Sequence, residues 1–256
     1  MRLVDGTSFC WRATSAQSRR SLANWWRPTP PGRRRCRLIL TFRGAAEAIA
    51  DALEGAGVEV GVLVNNAGVI FEGDFAGIAL DDHLRLLQIN VVALTSLTRL
   101  FLPSMLKQGA GRILNVASIA AFMPIPRIAA YAAAKAYVLS LTESLSEELR
   151  GTGVTATGLC PGFTNTAMVR GSQLGKAFPA SMIMSSKDVA ELGCAACLKG
   201  ETICIPGRAN RLLSGGAQLL PRELVRALGG MVNVRGWGKT ASALYSRAAS
   251  GEEAKK

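Results

Sequence analysis

From residue 37 onward, apolar and polar positions alternate between a helical and a strand period. Residues 37–42 (RLILTF) form a short β-like run. Residues 44–57 carry apolar side chains at helical spacing and end on glycine, which predicts a helix. Residues 58–68 (VEVGVLVNNAG) read as a Val-rich strand running into a turn. A long helix is predicted over 81–109, with Asp81 and Asp82 in its first turn and Lys107 near its end, as the helix dipole favours. A buried-type strand follows at 111–118, an Ala-rich helix at 128–149, and a strand at 153–162 that ends in a Pro-Gly turn. Residues 187–199 are predicted helical, 202–207 a short strand, and 209–230 a basic amphipathic helical region. Strands alternating with helices predict an α/β fold, a doubly wound parallel sheet covered on both faces, forming one Rossmann-like domain over 44–231. The stretch 232–256 is expected to be a flexible tail.

Composition changes this picture at one end of the chain. A content of 49% hydrophobic and 19% charged residues excludes global disorder. No uninterrupted apolar run reaches about 18 residues, so no membrane span is expected. Six cysteines at irregular spacing fit a reducing, cytoplasmic setting better than a disulfide framework. The net charge of +12 is not spread evenly. Residues 1–43 hold ten Arg, no Lys and one acid, Asp5, while the rest of the chain carries only +3. The domain as a whole is therefore not expected to bind nucleic acid. Residues 1–36 also hold Trp11, Trp25 and Trp26, a PTPPG stretch, and no sustained hydrophobic period. Four readings stand for it: a transit peptide, a basic arm for nucleic acid or anionic lipid, an irregular part of the fold, or a non-native stretch such as a shifted reading frame. The abruptness of the change favours the last.

Candidate chemistry lies between residues 65 and 166. In doubly wound sheets, ligands sit beyond the carboxyl ends of the strands. Three successive strands here end in polar or turn residues: Asn65-Asn66-Ala67-Gly68, Ser118, and Pro161-Gly162. Tyr131 and Lys135 are four apart on a helix, so both project from one face, about 6 Å apart along the axis. An ammonium near a phenol favours the phenolate, which would bring Tyr131 closer to proton exchange at neutral pH. Ser118 is placed to donate to the same substrate oxygen. Asn90, a poor helix former inside a long helix, is a candidate to hold a water in a relay to Lys135. Each feature alone has a bland explanation: chance spacing, a structural serine, a local kink. Their joint occurrence changes the weighing. Cys194 and Cys197 share a CxxC spacing, but on a helix and with a single histidine in the chain, so no metal site is expected. That histidine, His83, reads as a surface residue. Met168, Met182 and Met184 suit either core packing or an adaptable apolar lid.

In order and spacing, NNAG at 65–68, Asn90, Ser118, YxxxK at 131–135 and PGxxxT at 161–166 resemble the short-chain dehydrogenase/reductase family, over roughly residues 44–213. The resemblance implies an oxidoreductase that transfers a hydride between NADP or NAD and a carbonyl or secondary alcohol. Tyr131 would be the general acid/base and Lys135 would lower its pKa and bind the nicotinamide ribose. Ser118 would orient the substrate, and Asn90 would support the relay. Asn65, Asn66, Ala67 and Gly68 would shape the cofactor cleft, with Pro161, Gly162 and Thr166 at the nicotinamide end. It also implies a small-molecule substrate, here expected to be hydrophobic, and a homodimer or homotetramer built through the long helices. One departure is large: no TGxxxGxG turn occurs anywhere in the chain. The N-terminal βαβ part is therefore expected to be incomplete or irregular, leaving the edge of the VGVLVNN strand exposed. Two alternatives follow. One is a catalytically silent binding or scaffold protein unable to hold a dinucleotide. The other is a surface-associated protein whose Arg-rich arm or 209–230 segment contacts anionic lipid or nucleic acid.

Overall fold

The computed structural model describes residues 27–28, 34–35, 40–41, 44–170 and 183–231. The strand expected at 37–42 falls mostly outside them, and its two described residues, Leu40 and Thr41, form a turn. Met182 and the tail from 232 also lie outside. Within 1–43, two short strands, β1 (Arg27–Pro28) and β2 (Arg34–Arg35), pair antiparallel.

The main sheet is parallel, in the order β3 (Val62–Asn65), β4 (Gly111–Val116), β5 (Val154–Leu159) and β8 (Ile203–Cys204). Strands β6 (Thr164–Asn165) and β7 (Met184–Ser185) form a separate parallel pair beyond its carboxyl end. Helices α1 (Ala45–Glu54), α2 (Leu80–Leu87), α3 (Leu94–Gln108) and α4 (Ala129–Glu148) come before β5. The four-residue α5 (Ala167–Arg170), then α6 (Ser186–Lys199), α7 (Arg208–Leu219) and α8 (Arg222–Met231), follow it.

Alternation along β4 shows how the layers form. Ile113 packs with Phe101 and Met105 of α3 on one face, and Leu114 packs with Val189 and Cys197 of α6 on the other. Both are buried, so β4 is apolar on consecutive positions, as a parallel strand covered on both sides must be. The α/β fold expected from the alternating periods is the one observed. By length and composition alone, the continuous helix from Leu80 to Gln108 would suffice to cross a bilayer. Leu94, Leu97, Phe101 and Met105 are instead buried in the core.

The strand at 58–68 contracts to Val62–Asn65, which ends the sheet among the described residues. Val64 pairs in register with Leu114 and shares its face, but α6 covers only Leu114. Val62 and Val64 therefore remain 47% and 42% exposed. The predicted strand at 202–207 shortens to Ile203–Cys204. The 209–230 region breaks at Leu220-Pro221 into α7 and α8, because proline starts a helix more readily than it continues one.

The turn into β5 depends on Gly153, whose φ is +82°. A Cβ there would lie 1.9 Å from the Gly109 carbonyl oxygen, a backbone atom that cannot rotate away. Gly153→Ala is expected to cost at least about 3 kcal/mol, from left-handed strain plus steric displacement, measured by urea unfolding. A loss below about 1 kcal/mol would mean that the turn relaxes freely.

Candidate active site

The Leu80–Gln108 helix contains a π-helical segment, Gln88–Ala93, around Asn90. The buried Asn90 amide makes a two-way bridge: Oδ1 accepts from Val69 N at 2.9 Å and Nδ2 donates to Val69 O at 2.9 Å. This accounts for the asparagine that had no local explanation in the sequence. One Nδ2 hydrogen and one Oδ1 lone pair pin the loop after Gly68, a role beside the water-holding one expected from the sequence. A helical irregularity of this type commonly marks a functional site.

Lys135 is 5% exposed and donates to Val116 O at 2.7 Å. A Cβ on Gly68 would lie 3.4 Å from Asn90 Oδ1 and 3.6 Å from Lys135 Nζ. Glycine at 68 thus leaves a small polar cradle between an amide and an ammonium. Burial pulls the Lys135 ammonium down to about 8, partly offset by the neighbouring Cys160. Cys160 is buried and its thiol is pushed up to about 12, chiefly by burial, which makes it a poor nucleophile.

Tyr131 sits in the first turn of α4, one turn before Lys135. The ammonium lies 5.6 Å from the centroid of the Tyr131 ring. Burial holds the phenol above its ordinary value, and a hydrogen bond with Ser118 opposes that rise. The sequence reading expected Lys135 to draw the phenol downward; in the free protein, burial is the larger effect. Ser118 follows β4 and caps the Ile119–Phe122 turn, accepting from Ala120 N at 3.1 Å. Ile119 N donates to Pro161 O at 3.0 Å, which ties the end of β4 to the end of β5.

Other expected residues take different parts. Asn65 is buried: its Nδ2 donates to Thr98 Oγ1 and Asn115 Oδ1 at 3.1 and 2.8 Å. Asn115 in turn donates to Thr142 Oγ1 at 2.9 Å. This chain runs from α3 through β3 and β4 to α4, so the Asn65 side chain fixes helix and sheet positions beneath the cleft. Asn66 is exposed, while Ala67 and Gly68 are half-buried. Thr166 Oγ1 accepts from Val169 N at 3.3 Å, capping α5. His83 is buried beside Phe75, with ring centroids 4.4 Å apart and Nε2 3.0 Å from Phe75 O, correcting its surface assignment. Met184 packs against the α6 core cluster.

Asn210 was missed in the sequence. It is buried in α7, donates to Pro206 O at 2.7 Å, and lies over Gly162, where a Cβ would be 2.5 Å from its amide. Its signal was the one Asn90 gave: an asparagine inside a helix where its propensity is poor.

Against known proteins, residues 40–176 match the family model for short chain dehydrogenases. The chain belongs to the short-chain dehydrogenase family. It is 30% identical over 196 residues to the oxidoreductase UcpA of Salmonella typhimurium, covering 71% of this chain and 73% of that protein. It is 40% identical over 106 residues to the ketoacyl reductase HetN of Nostoc, but covers 41% of this chain and only 37% of that one. The human very-long-chain 3-oxoacyl-CoA reductase is 33% identical over 150 residues, 56% of this chain and 48% of that enzyme. Among solved structures, a short-chain dehydrogenase from Sphingobium yanoikuyae in complex with NADPH is 28% identical with a TM-score of 0.61, over 71% of this chain and 72% of that one. A 7β-hydroxysteroid dehydrogenase structure, 22% identical, shares the fold with a TM-score of 0.67 over 75% of each chain.

Proposed function

We propose that this short-chain dehydrogenase moves a hydride between NADP or NAD and a hydrophobic ketone or secondary alcohol. The observation that carries the reading is the meeting of Tyr131 with Ser118 beside the buried Lys135, at the carboxyl end of the sheet. Relatives that reduce ketoacyl groups, and a neighbour holding NADPH, support it.

The residues present fit the nicotinamide-ribose end of such a cofactor. Gly68 sets its bare backbone beside Asn90 Oδ1 and Lys135 Nζ, and Lys135 uses one of its three donors on Val116 O. Pro161, Gly162 and Thr166 would border the nicotinamide ring. No glycine-rich turn in the sequence offers a seat for the pyrophosphate, so no residue is assigned to that end. When bound, the cofactor supplies the hydride. The protein does the rest: Ser118 holds the substrate oxygen and Tyr131 gives that oxygen its proton. Lys135 holds the ribose and keeps a positive charge beside the phenol. Asn90 acts as a positioning residue, fixing the Gly68 loop through Val69. The same reading includes a reducing, cytoplasmic setting, for which the free thiols of Cys160, Cys194, Cys197 and Cys204 speak, and a homo-oligomer. Residues 44–231 form the working domain in it.

Titration of NADPH and NADH fluorescence with the full chain tests the proposal, followed by turnover of a panel of aliphatic and aromatic ketones. Saturable binding and turnover of the apolar members are expected. An absence of binding at millimolar cofactor would make the chain a silent binding protein, and turnover of polyols alone would overturn the substrate class.

A further inference from the structure

Helix α7 is turned inside out. Its buried positions are Asn210 and Ser214, four apart on one face, and the Ser214 hydroxyl has no hydrogen-bond partner among the described residues. Its most exposed large hydrophobic side chains are Leu212 and Leu219, at 78% and 87%, seven apart on the other face. An amphipathic helix on a protein surface ordinarily does the reverse. The inversion follows from what α7 rests on. Asn210 must reach Pro206 O and fill the space over Gly162, which leaves the leucines no way inward. The apolar surface continues through Leu213, Leu220 and Leu224, all exposed. Arg208, Arg211, Arg222 and Arg226 are exposed around it, and Glu223 is the one acid between residues 208 and 226. Helix α8 is held against the site: a Cβ on Gly229 would lie 2.1 Å from Pro124 O, in the loop between Ser118 and Tyr131.

We propose that the α7–α8 face docks on an anionic lipid bilayer, with the leucines in the acyl boundary and the arginines at the lipid phosphates. Exposed leucine interleaved with arginine matches the chemistry of such an interface on both counts. A second copy on the same face fits poorly, because twofold pairing would bring together two faces that each carry four arginines and a single acid. The helix that carries part of this face rests by its buried side, at Gly229, on the loop between Ser118 and Tyr131. This inference stands on the surface alone and does not depend on the redox reading.

The test uses the full chain with vesicles of phosphatidylcholine, with and without phosphatidylglycerol, read by hydrogen exchange and vesicle flotation. Amides of 208–226 are expected to exchange at least about tenfold more slowly on the anionic vesicles only. The variant L212Q/L219Q is expected to lose at least about tenfold in vesicle partition with its Tm unchanged, since both side chains are solvent-facing in the free protein. Vesicle binding without protection of 208–226 would assign the contact to another basic segment and overturn the proposal. Equal protection on neutral vesicles would also overturn it, as would protection that grows with protein concentration in the absence of lipid, the mark of a second copy.

Discussion

Replacing Tyr131 with phenylalanine is expected to lower kcat for ketone reduction by about 10²–10⁴-fold while the protein stays folded, the range that a positioned proton donor supplies. The change removes one hydroxyl from a half-buried ring and one hydrogen bond, that with Ser118. Stability should therefore fall by no more than about 1.5 kcal/mol. Cofactor affinity should change little, because Lys135 and the Gly68 cradle are untouched. The direction of the reaction matters to this test. Burial holds the Tyr131 phenol above its ordinary value, so in the free protein it stays protonated at neutral pH. It is then poised to give a proton to a carbonyl oxygen, the reductive direction. Initial rates across pH check this. Reduction should hold level through neutral pH and decline above about pH 8, where Lys135 loses its charge. A Tyr131→Phe protein with near-normal kcat would remove the phenol from the mechanism.

The legible parts of this site were those whose chemistry is written as spacing. Tyr131 and Lys135 share a helix face because four residues make about one turn. Ser118 and the Pro161-Gly162 pair stood out because they end strands. The fold was legible for the same reason: the apolar periods alternate, and only α/β layers satisfy that alternation. Roles set by partners far along the chain were not legible. Asn65 meets Thr98 and Asn115, 33 and 50 residues away, and nothing local to NNAG announces a buried polar chain. The Asn90 bridge gave no local sign because its partner, the Val69 backbone, lies 21 residues upstream. His83 looked exposed at a helix start because Phe75, which covers it, belongs to the preceding loop. The 209–230 region was legible as basic and amphipathic, but which of its faces turns inward was not, because the Asn210–Gly162 contact that decides it joins residues 48 apart. The net direction at Tyr131 was not legible either: proximity of Lys135 to the phenol was visible, but burial, the larger contribution, is a property of the folded whole.

That burial makes Lys135→Met the sharpest separation of function from stability. In the folded chain the ammonium is drawn down to about 8 from 10.5, principally because it is buried. The group's folded pKa lies below its unfolded one, so a charged Lys135 works against folding. Below about pH 8 both states hold the proton and the cost is present in full, at roughly 3 kcal/mol for a shift of this size. Between about 8 and 10.5 the unfolded chain still binds the proton and the folded chain does not, so wild-type stability should rise with pH across that window. Methionine at 135 keeps the length and loses the charge. It also leaves Val116 O without its donor, which costs roughly 1–3 kcal/mol. Near neutral pH the variant should therefore range from unchanged to about 2 kcal/mol more stable than wild type, and its own stability should lack the rise above about pH 8. Activity should move the other way, falling about 10²–10³-fold as the proposed ribose contact and the charge beside the phenol are lost. Urea unfolding near pH 7 and pH 9, alongside steady-state kinetics, tests both halves. A variant that unfolds several kcal/mol more easily would make Lys135 a structural residue. A stable variant with full activity would leave the buried charge without a use in the reaction.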